Sequence, residues 1–497
     1  MNHLRFLSLG ALLLAASFKA TAQDVTDALR FSYLQPQGTA RSMGFGNATG
    51  SVGGDFSTLS INPAGIGIYR SSEIEFTPSL KINSVDGQYL GNTVSSDNTR
   101  FNFNSVGVVF SSSRKGRRYQ NSKWKAVSFG IGVNRMADFN RDYSYSGNNS
   151  GPKSSTATDA FEADANLNPG DIQQPGTPGY LGYQAFLIDT TGNPNQPYAT
   201  IVPWKNGINQ IRTVSERGGI NELDISFGGN YMEKLMLGAT IGIPILNYST
   251  TTTYSETALS ADPNFNTFTY SENGTTNGTG INLKLGLIYK ISDYFRIGAA
   301  VHTPTYYSMH DDYSTSISSV TALGGNQNVP PNENVFDYSL TTPWRGILSA
   351  TGFFGKYGFI SADYEYVNYS TAHFNYGGGY GDQTNQVNQQ IKSTLGSASN
   401  IRVGAEGRIT NIFMLRLGFD YYGNPYQNSN GVNCNAIAIS GGFGFRFPHW
   451  FVDAALVHTQ YNGIEQPYFD PYSDVIVPTA ILKNSLNNAA LTVGFKF

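Results

Sequence analysis

Residues 280–302 read GINLKLGLIYKISDYFRIGAAVH, and this stretch decides the fold class of the chain. From Ile281 to Ile291 every odd position is aliphatic or aromatic, while Lys284 and other polar or small residues fill most even positions. Alternation over about ten residues, with one apolar and one polar face, is typical of a β-strand. A two-residue break then precedes a second run at 294–303. The stretch therefore predicts two strands joined by a tight turn.

The same pattern recurs along the chain after residue 70, and short breaks alternate with long connections. Outer-membrane barrels show this asymmetry, with tight periplasmic turns and long extracellular loops. An even number of strands also returns the chain to the side on which it began. The sequence predicts an all-β fold, a 14-stranded antiparallel transmembrane β-barrel, with strands near 72–82, 101–112, 123–135, 220–232, 234–247, 280–291, 294–303, 343–355, 357–369, 400–409, 411–422, 434–447, 449–461 and 487–497. The long loops are predicted at 136–219 (the longest), 248–279, 304–342, 370–399 and 462–486.

The composition excludes several other classes of protein. Of the 497 residues 13% are charged and 13% aromatic, the net charge is -3, and there is one cysteine. Disordered chains avoid aromatic residues, and nucleic-acid binding needs a positively charged stripe. A single cysteine excludes a disulfide framework and the common zinc clusters. An aromatic-rich chain with few charges instead indicates β-structure in contact with an apolar phase.

The first residues indicate export. Arg5 and an apolar run from Phe6 to Phe18 precede Ala20-Thr21-Ala22, which matches a small-x-small cleavage site. We expect residues 1–22 to be a secretory signal peptide, too short to span a membrane, and after them no apolar stretch approaches the roughly 18 residues of a spanning helix. Together with the barrel pattern, this predicts a multi-pass barrel in the outer membrane of a Gram-negative cell.

The segment before the first strand has a different character. Residues 36–70, PQGTARSMGFGNATGSVGGDFSTLSINPAGIGIYR, are rich in glycine and contain Ala-Arg-Ser-Met-Gly at 40–44 and Asn-Pro-Ala-Gly at 62–65. With this spacing, the segment resembles the N-terminal hatch of the long-chain fatty-acid transporter family, the FadL/TodX type. After the signal peptide at 1–22, the resemblance implies an N-terminal hatch, or plug, in the lumen at 23–70, and a transmembrane β-barrel with long extracellular loops at 71–497.

The resemblance also implies a function. Members of the family are monomeric barrels that import hydrophobic small molecules by passive diffusion, through an apolar pocket beside the hatch and a lateral exit into outer-membrane lipid at a kinked third strand. A terminal aromatic, here Phe497, resembles the signal read by the barrel-assembly machinery. No cofactor is implied. The candidate hatch or pocket residues are Arg41, Ser42, Met43, Gly44, Asn62, Pro63, Ala64 and Gly65.

In the third strand, the candidate kink residues are Gly130, Gly132 and Asn134. Glycine inside a strand weakens pairing, which would favour a kink. Small residues could equally serve to fit a crowded barrel interior, and the sequence leaves both interpretations open.

Alternation also assigns charged residues to the lumen, where their mixed signs predict a pairing network. A surplus arginine could bind a carboxylate headgroup. The residues assigned inward are Lys284, Lys290, Arg296, Arg402, Arg408, Arg416, Arg446, Asp224, Asp363, Glu365, Glu406, Asp420 and Asp453.

Two other functions remain open from the sequence. Barrels that resemble FadL also serve as shuttles for secreted surface proteins, so the long polar loops could be docking surfaces. A haem receptor could use His302, His310 and His373 as iron ligands. We find no catalytic motif and no phosphate-binding loop, and we expect the chain not to be an enzyme and not to bind a metal or a nucleic acid.

Overall fold

The computed structural model describes residues 25–114, 116–150, 155–203, 206–428, 431–468 and 477–497. The signal peptide predicted at 1–22 and the first two residues of the segment predicted at 23–70 lie outside these ranges. The strands are β1 (Glu73–Tyr89), β2 (Asn92–Ser113), β3 (Trp124–Asp138), β4 (Arg141–Asn149), β5 (Ile188–Asn193), β6 (Gln196–Thr200), β7 (Ile208–Tyr231), β8 (Leu235–Ala258), β9 (Phe265–Ser292), β10 (Phe295–His302), β11 (Tyr306–Thr321), β12 (Gly325–Thr341), β13 (Arg345–Phe353), β14 (Gly358–Asn368), β15 (His373–Asn375), β16 (Ser397–Arg408), β17 (Phe413–Tyr422), β18 (Ala436–Arg446), β19 (Trp450–Glu465) and β20 (Ala480–Lys496). The α-helices are α1 (Val25–Ser32), α2 (Ala40–Gly44), α3 (Thr58–Ile61), α4 (Gly116–Asn121), α5 (Ala157–Leu167), α6 (Pro178–Gln184) and α7 (Gly381–Thr394), and 3-10 helices span Pro63–Ile68, Asp171–Gln173 and Tyr369–Thr371.

Fourteen of the strands close into one antiparallel barrel. Around the wall they follow the order β1, β2, β3, β7, β8, β9, β10, β13, β14, β16, β17, β18, β19 and β20. The last strand pairs with the first, from Glu73 opposite Lys496 to Gln88 opposite Ile481. Each of the 14 predicted strands corresponds to one of these, so the predicted barrel is confirmed.

The wall presents an apolar face outward and a polar face inward. On β9, Ile281 and Leu285 are 55% and 46% exposed, whereas Asn282 and Lys284 are 7% and 2% exposed. Outward positions of the other strands are also mostly aliphatic or aromatic, which is the pattern that contact with lipid requires. The chain is therefore an outer-membrane barrel. None of the helices in the described ranges is both long and apolar enough to cross a membrane.

The two ends of the barrel differ as the sequence predicts. At one end, neighbouring strands are joined by the short links 232–234, 293–294, 354–357, 409–412 and 447–449, and by α4 between β2 and β3. The barrel chain also starts and finishes at this end, where Phe497 N donates a hydrogen bond of 2.9 Å to Ser72 O. We call it the closed end, and it is the periplasmic side of an outer-membrane barrel.

At the opposite end, several predicted loops prove to be regular structure. The segment 248–279 continues β8 and β9, and 304–342 forms the hairpin β11–β12, which pairs with the upper part of β9. The segment 136–219 contains β4, α5, α6, the separate hairpin β5–β6 and the start of β7, and 370–399 contains α7. These strands extend past the lipid, so their outward faces are mostly polar, and the apolar outward face that identifies a membrane strand is missing.

Candidate functional site

The N-terminal segment, which we define as residues 25–70, packs against the inner wall from several directions. Ala40 N donates to Thr492 Oγ1 of β20 at 2.7 Å, and Gly50 N donates to Asp363 Oδ2 of β14 at 3.0 Å. On another side, Ser60 Oγ donates to Asp224 Oδ2 of β7 at 2.6 Å. The segment therefore contacts strands around the whole circumference.

The motif at 40–44 forms the short helix α2. Its N-cap, Thr39, accepts a hydrogen bond from Ser42 N at 3.0 Å and donates from its hydroxyl to Asp55 at 2.9 Å. The side chain of Arg41 donates to Glu406 Oε2 at 3.0 Å and to Gly54 O at 3.0 Å. Burial disfavours the charged guanidinium, but the carboxylates of Glu406 and Asp55 outweigh burial and raise the pKa of Arg41 above its ordinary value. Arg41 is thus a charged link between the segment and the wall.

The other members of this motif make close contacts. Ser42 Oγ donates to Asn47 Oδ1 at 2.7 Å, and Met43 Sδ lies 3.2 Å from Asn104 Nδ2 of β2. Gly44 passes so close to the wall that an added Cβ would lie 3.3 Å from Arg416 Cδ. Gly44 therefore packs closely against Arg416 of β17 and the backbone of Gly442 in β18.

The motif at 62–65 begins the 3-10 helix Pro63–Ile68. Asn62 is fully buried, and its extended backbone suits the position before a proline. Its Oδ1 accepts from Ala64 N at 3.1 Å, while its Nδ2 donates to Gly50 O at 2.5 Å and to Leu287 O of β9 at 3.2 Å. One side chain thus caps the helix, joins two parts of the segment, and fastens both to the wall.

Glycines of the third strand accommodate this segment. A Cβ on Gly130 would come within 2.9 Å of Ile66 Cδ1, and a Cβ on Gly132 would overlap the ring of Phe56 and the carbonyl of Val106. Glycine is therefore required by close approach at Gly132, which favours the crowded-interior interpretation for that residue.

Pairing between β2 and β3 stops beside the N-terminal segment. Asn134 is buried and donates to Ser60 Oγ and to Asp224 Oδ2, both at 2.9 Å. The β2–β3 ladder ends at Asn134, which lies opposite Ser105. Residues 105–113 of β2 pair with β3, whereas residues 92–109 of β2 pair with β1. Beyond this point, β2 has a ladder on one side only among the described residues.

A cluster of ion pairs surrounds α2. Arg416 Nε lies 2.7 Å from Glu406 Oε2, and its Nη1 lies 2.7 Å from Asp453 Oδ1. Asp453 also pairs with Arg446 at 2.8 Å, and Glu406 with Arg41 at 3.0 Å. The predicted pairing network is therefore present here.

A second cluster lies beside α3. Lys284 of β9 is buried and pairs with Glu222 and with Asp224 of β7, the latter at 3.1 Å. His302 lies on the same side, with Nε2 2.9 Å from Ile61 O. This histidine is thus a structural partner of the N-terminal segment, not a residue of the loop rim.

A third cluster connects the wall to α1. Glu365 pairs with Arg345 at 3.0 Å and with Arg402 at 3.1 Å. Arg345 also donates to Ser32 O at the end of α1. These charges, Lys284 and several apolar side chains line a cavity of about 30 Å³, which has room for a few water molecules.

Away from the closed end, the lumen is filled by a packed cluster of apolar side chains around α1. Phe31 is 1% exposed and makes edge-on ring contacts with Phe139 and Tyr248, at centroid distances of 6.0 and 5.9 Å. The guanidinium of Arg30 lies over the Tyr248 ring at 4.5 Å. We call this cluster the apolar chamber, and its buried members are Ala28, Leu29, Phe31, Met136, Ala137, Ile220, Leu246, Tyr248, Tyr307, Met309, Tyr338, Leu340, Val367, Tyr369, Ala372, Phe374, Tyr376, Val387, Ile391, Leu395 and Ala398.

Comparison with solved structures gives the fold a name. A FadL homologue of Pseudomonas aeruginosa has a TM-score of 0.56 at 13% identity, covering 94% of this chain and 100% of that one. The toluene transporter TodX of Pseudomonas putida has a TM-score of 0.52 at 14% identity, covering 94% and 100%. The chain has the FadL/TodX-type fold. The toluene transporter TbuX of Ralstonia pickettii agrees, with a TM-score of 0.51 at 16% identity, covering 92% and 98%.

Searches against protein-family profiles and against characterised protein sequences return no match. The resemblance to the FadL/TodX type is therefore confirmed by three-dimensional structure, at a level of identity where sequence comparison alone finds nothing.

Within this FadL/TodX-type fold, both N-terminal motifs lie in the lumen, but the histidines are not brought together. His302 is buried inside the barrel, His310 Nδ1 lies 2.6 Å from Asp337 Oδ1 on the β11–β12 hairpin, and His373 lies at the start of β15. In the part of the chain that the structure describes, no group of three or more His, Cys, Asp or Glu residues is arranged to hold a metal ion.

Sequence reasoning missed several residues of the lumen, among them Glu222, Arg345 and Phe31. Glu222 shares the inward face of Asp224, and Arg345 shares that of Ile347, so alternation could have identified both. Phe31 is different, because α1 lies before the barrel and no local pattern shows that it will occupy the chamber. Its position in the FadL/TodX-type fold is set by long-range packing alone.

Proposed function

We propose that the chain is an outer-membrane channel that imports hydrophobic small molecules resembling long-chain fatty acids by passive diffusion. The apolar chamber carries this proposal. Burial of each methylene group stabilises a bound ligand by roughly 0.8 kcal/mol, so a chamber lined by aliphatic and aromatic side chains favours alkyl chains. The solved transporters of similar fold are described as carriers of toluene, which supports a hydrophobic ligand of some kind.

The N-terminal segment would act as the hatch. Its residues 39–68 fill the lumen toward the closed end and bond to strands around the circumference. In this proposal, α1 is the part that a ligand displaces first, because it lies in the chamber and is fastened by a few polar contacts such as Arg345 to Ser32 O.

The exit would be lateral, between β2 and β3. Side chains bridge this place where the backbone ladder is missing: Asn102 Nδ2 donates to Asp138 Oδ2 at the end of β3 at 2.9 Å, and Asn98 donates to Asp142 of β4. Side-chain bridges can break without disturbing the barrel ladders. A ligand could therefore leave the lumen into lipid without crossing the charged clusters around α2.

Ligand analysis and uptake test the proposal together. The purified barrel is extracted for lipid and analysed by native mass spectrometry, and uptake of a labelled long-chain fatty acid is measured in a host that lacks its own channel. We expect a co-purified fatty acid or hydrocarbon, and uptake above the empty host.

A chamber variant makes the test specific. Phe374 is 1% exposed and lies in β15, outside the barrel wall, so Phe374→Asp should leave the barrel intact. A carboxylate in an apolar site is costly, and we expect a loss of ligand and uptake of about ten-fold or more. Leu323→Asp, at a hairpin tip where the side chain is 61% exposed, is the matched control. Normal uptake by Phe374→Asp at normal surface levels would contradict a role for the chamber.

A further inference from the structure

The link between β2 and β3 is strongly basic. Residues 114–125, RKGRRYQNSKWK, contain six of the 32 lysines and arginines of the chain and no aspartate or glutamate. The chain as a whole has a net charge of -3, so this concentration of positive charge is local. Blocks of like charge repel one another and are often interaction segments.

The basic link lies at the edge of the lipid-facing surface. Trp124 at the start of β3 is 42% exposed and makes an edge-on contact with Tyr231, with ring centroids 5.4 Å apart. Exposed aromatics of this kind form the girdle at the membrane interface. Phe110 and Val127, 48% and 55% exposed, continue the apolar surface along β2 and β3. Arg114, Arg117 and Lys123 thus lie at the height of the phospholipid headgroups.

Contacts within the closed end hold this link in place. Tyr119 OH of α4 donates to Glu233 Oε1 at 2.9 Å, and Arg70 pairs with Glu233 Oε2 at 2.6 Å. Lys125 lies over the Tyr119 ring, 4.5 Å from its centroid. The nearby carboxylate is therefore already paired with Arg70 and bonded by Tyr119.

Other cations of the link face solvent. Arg114, Arg117 and Lys123 are exposed, and no ion pair among the described residues joins them to a carboxylate. Three positive charges beside an aromatic girdle, without internal counter-charges, are suited to an external anionic surface.

We propose that Arg114, Arg117 and Lys123 bind the anionic headgroups of phospholipids in the periplasmic leaflet. Basic residues next to a membrane are attracted to acidic lipids, and the attraction falls within a Debye length. A lipid surface fits better than a soluble acidic partner, because the charges border the aromatic girdle and the lipid-facing strands. The proposal is independent of what the channel transports.

Lipid competition tests it. The full-length barrel is exchanged into mixed phosphatidylcholine and phosphatidylglycerol of equal chain length, and retained lipid is measured by native mass spectrometry. We expect preferential retention of phosphatidylglycerol, and a loss of that preference of about ten-fold in Arg114→Gln/Arg117→Gln/Lys123→Gln. Arg114→Lys/Arg117→Lys/Lys123→Arg should retain it, and high salt should weaken it.

A dispersed variant controls for net charge. Lys234→Gln/Lys356→Gln/Arg408→Gln removes three exposed charges that are spread over the closed end, two in separate links and one at the end of β16, and we expect it to behave as wild type. Folding of every variant is checked by heat-dependent migration on gels. An unchanged preference in the first variant, or an equal loss in the dispersed one, would overturn the proposal. Preference for soluble polyglutamate over phosphatidylglycerol vesicles would also overturn it and indicate an acidic macromolecule instead.

Discussion

Asn62 shows how much one side chain can contribute to the position of the N-terminal segment. Its amide makes three hydrogen bonds, to Gly50 O, Leu287 O and Ala64 N, in a fully buried environment. A shortened side chain would remove these three hydrogen bonds, and a buried polar group left unpaired costs about 1–3 kcal/mol.

We therefore expect Asn62→Ala, alone or with Pro63→Ala, to loosen the N-terminal segment without unfolding the barrel. Amide hydrogen exchange should rise in residues 39–68, and uptake of the labelled fatty acid should change. The strands of the barrel wall should remain protected from exchange. Asn92→Ala, at the exposed tip of the β1–β2 hairpin, is the control and should change neither. Unchanged hydrogen exchange in the segment would argue against a role of Asn62 in holding the segment against the wall.

At the same scale, His310 gives a prediction about pH. The hydrogen bond to Asp337 on the exposed hairpin raises the pKa of His310 above its ordinary value. The charged imidazolium therefore strengthens this contact at acidic pH, and the contribution is lost as pH rises through the raised pKa. In a histidine-labelled sample followed by NMR, Asp337→Asn should lower the pKa of His310; if it stays unchanged, the pair does not form in solution.

Among the elements, the shortened ladder between β2 and β3 has the clearest consequence for transport. If hydrophobic ligands leave here, a covalent bridge across the missing ladder should stop uptake. We expect cross-linked Asn102→Cys/Asp138→Cys, made in a Cys434→Ala background, to lose uptake until a cleavable linker is cut. The pair Gln88→Cys/Thr93→Cys bridges the intact β1–β2 ladder, where these residues are opposite each other, and should have no effect. Equal uptake by both bridged proteins would exclude this exit.

How far the elements could be predicted depends on the environment of each. In β9, lipid outside and charge inside give Ile281 and Lys284 opposite exposure, so the strand and its inward lysine were predicted correctly. In the part of the same strand beyond the lipid, the outward Thr275, Asn277 and Thr279 are as polar as their inward neighbours, so the sequence shows no contrast in hydropathy between the two faces, and this part was predicted as loop. The ion pairs of Lys284 with β7 depend on strand register, which no local pattern contains.

At the scale of the whole molecule, the lumen is filled, so the intact barrel should conduct ions poorly. The polar residues facing residues 39–68 would line a water-filled passage if the N-terminal segment were absent, because the 14-strand wall closes through β1 and β20 without it. We expect a variant lacking residues 25–70 to conduct in planar bilayers, while the wild type and a variant lacking α7 do not. A silent deletion variant that is properly folded would show that other parts of the chain block the lumen.

The great length of β9 has a consequence for the cell surface. At about 3.3 Å per residue and a tilt of about 40°, its 28 residues rise roughly 70 Å, against a hydrocarbon core of about 30 Å. Together with β7, β8 and the β11–β12 hairpin, it forms a wall that extends beyond the membrane on one side of the barrel. Molecules arriving from outside would thus meet this protein within the carbohydrate coat of the cell, before they reach any lipid.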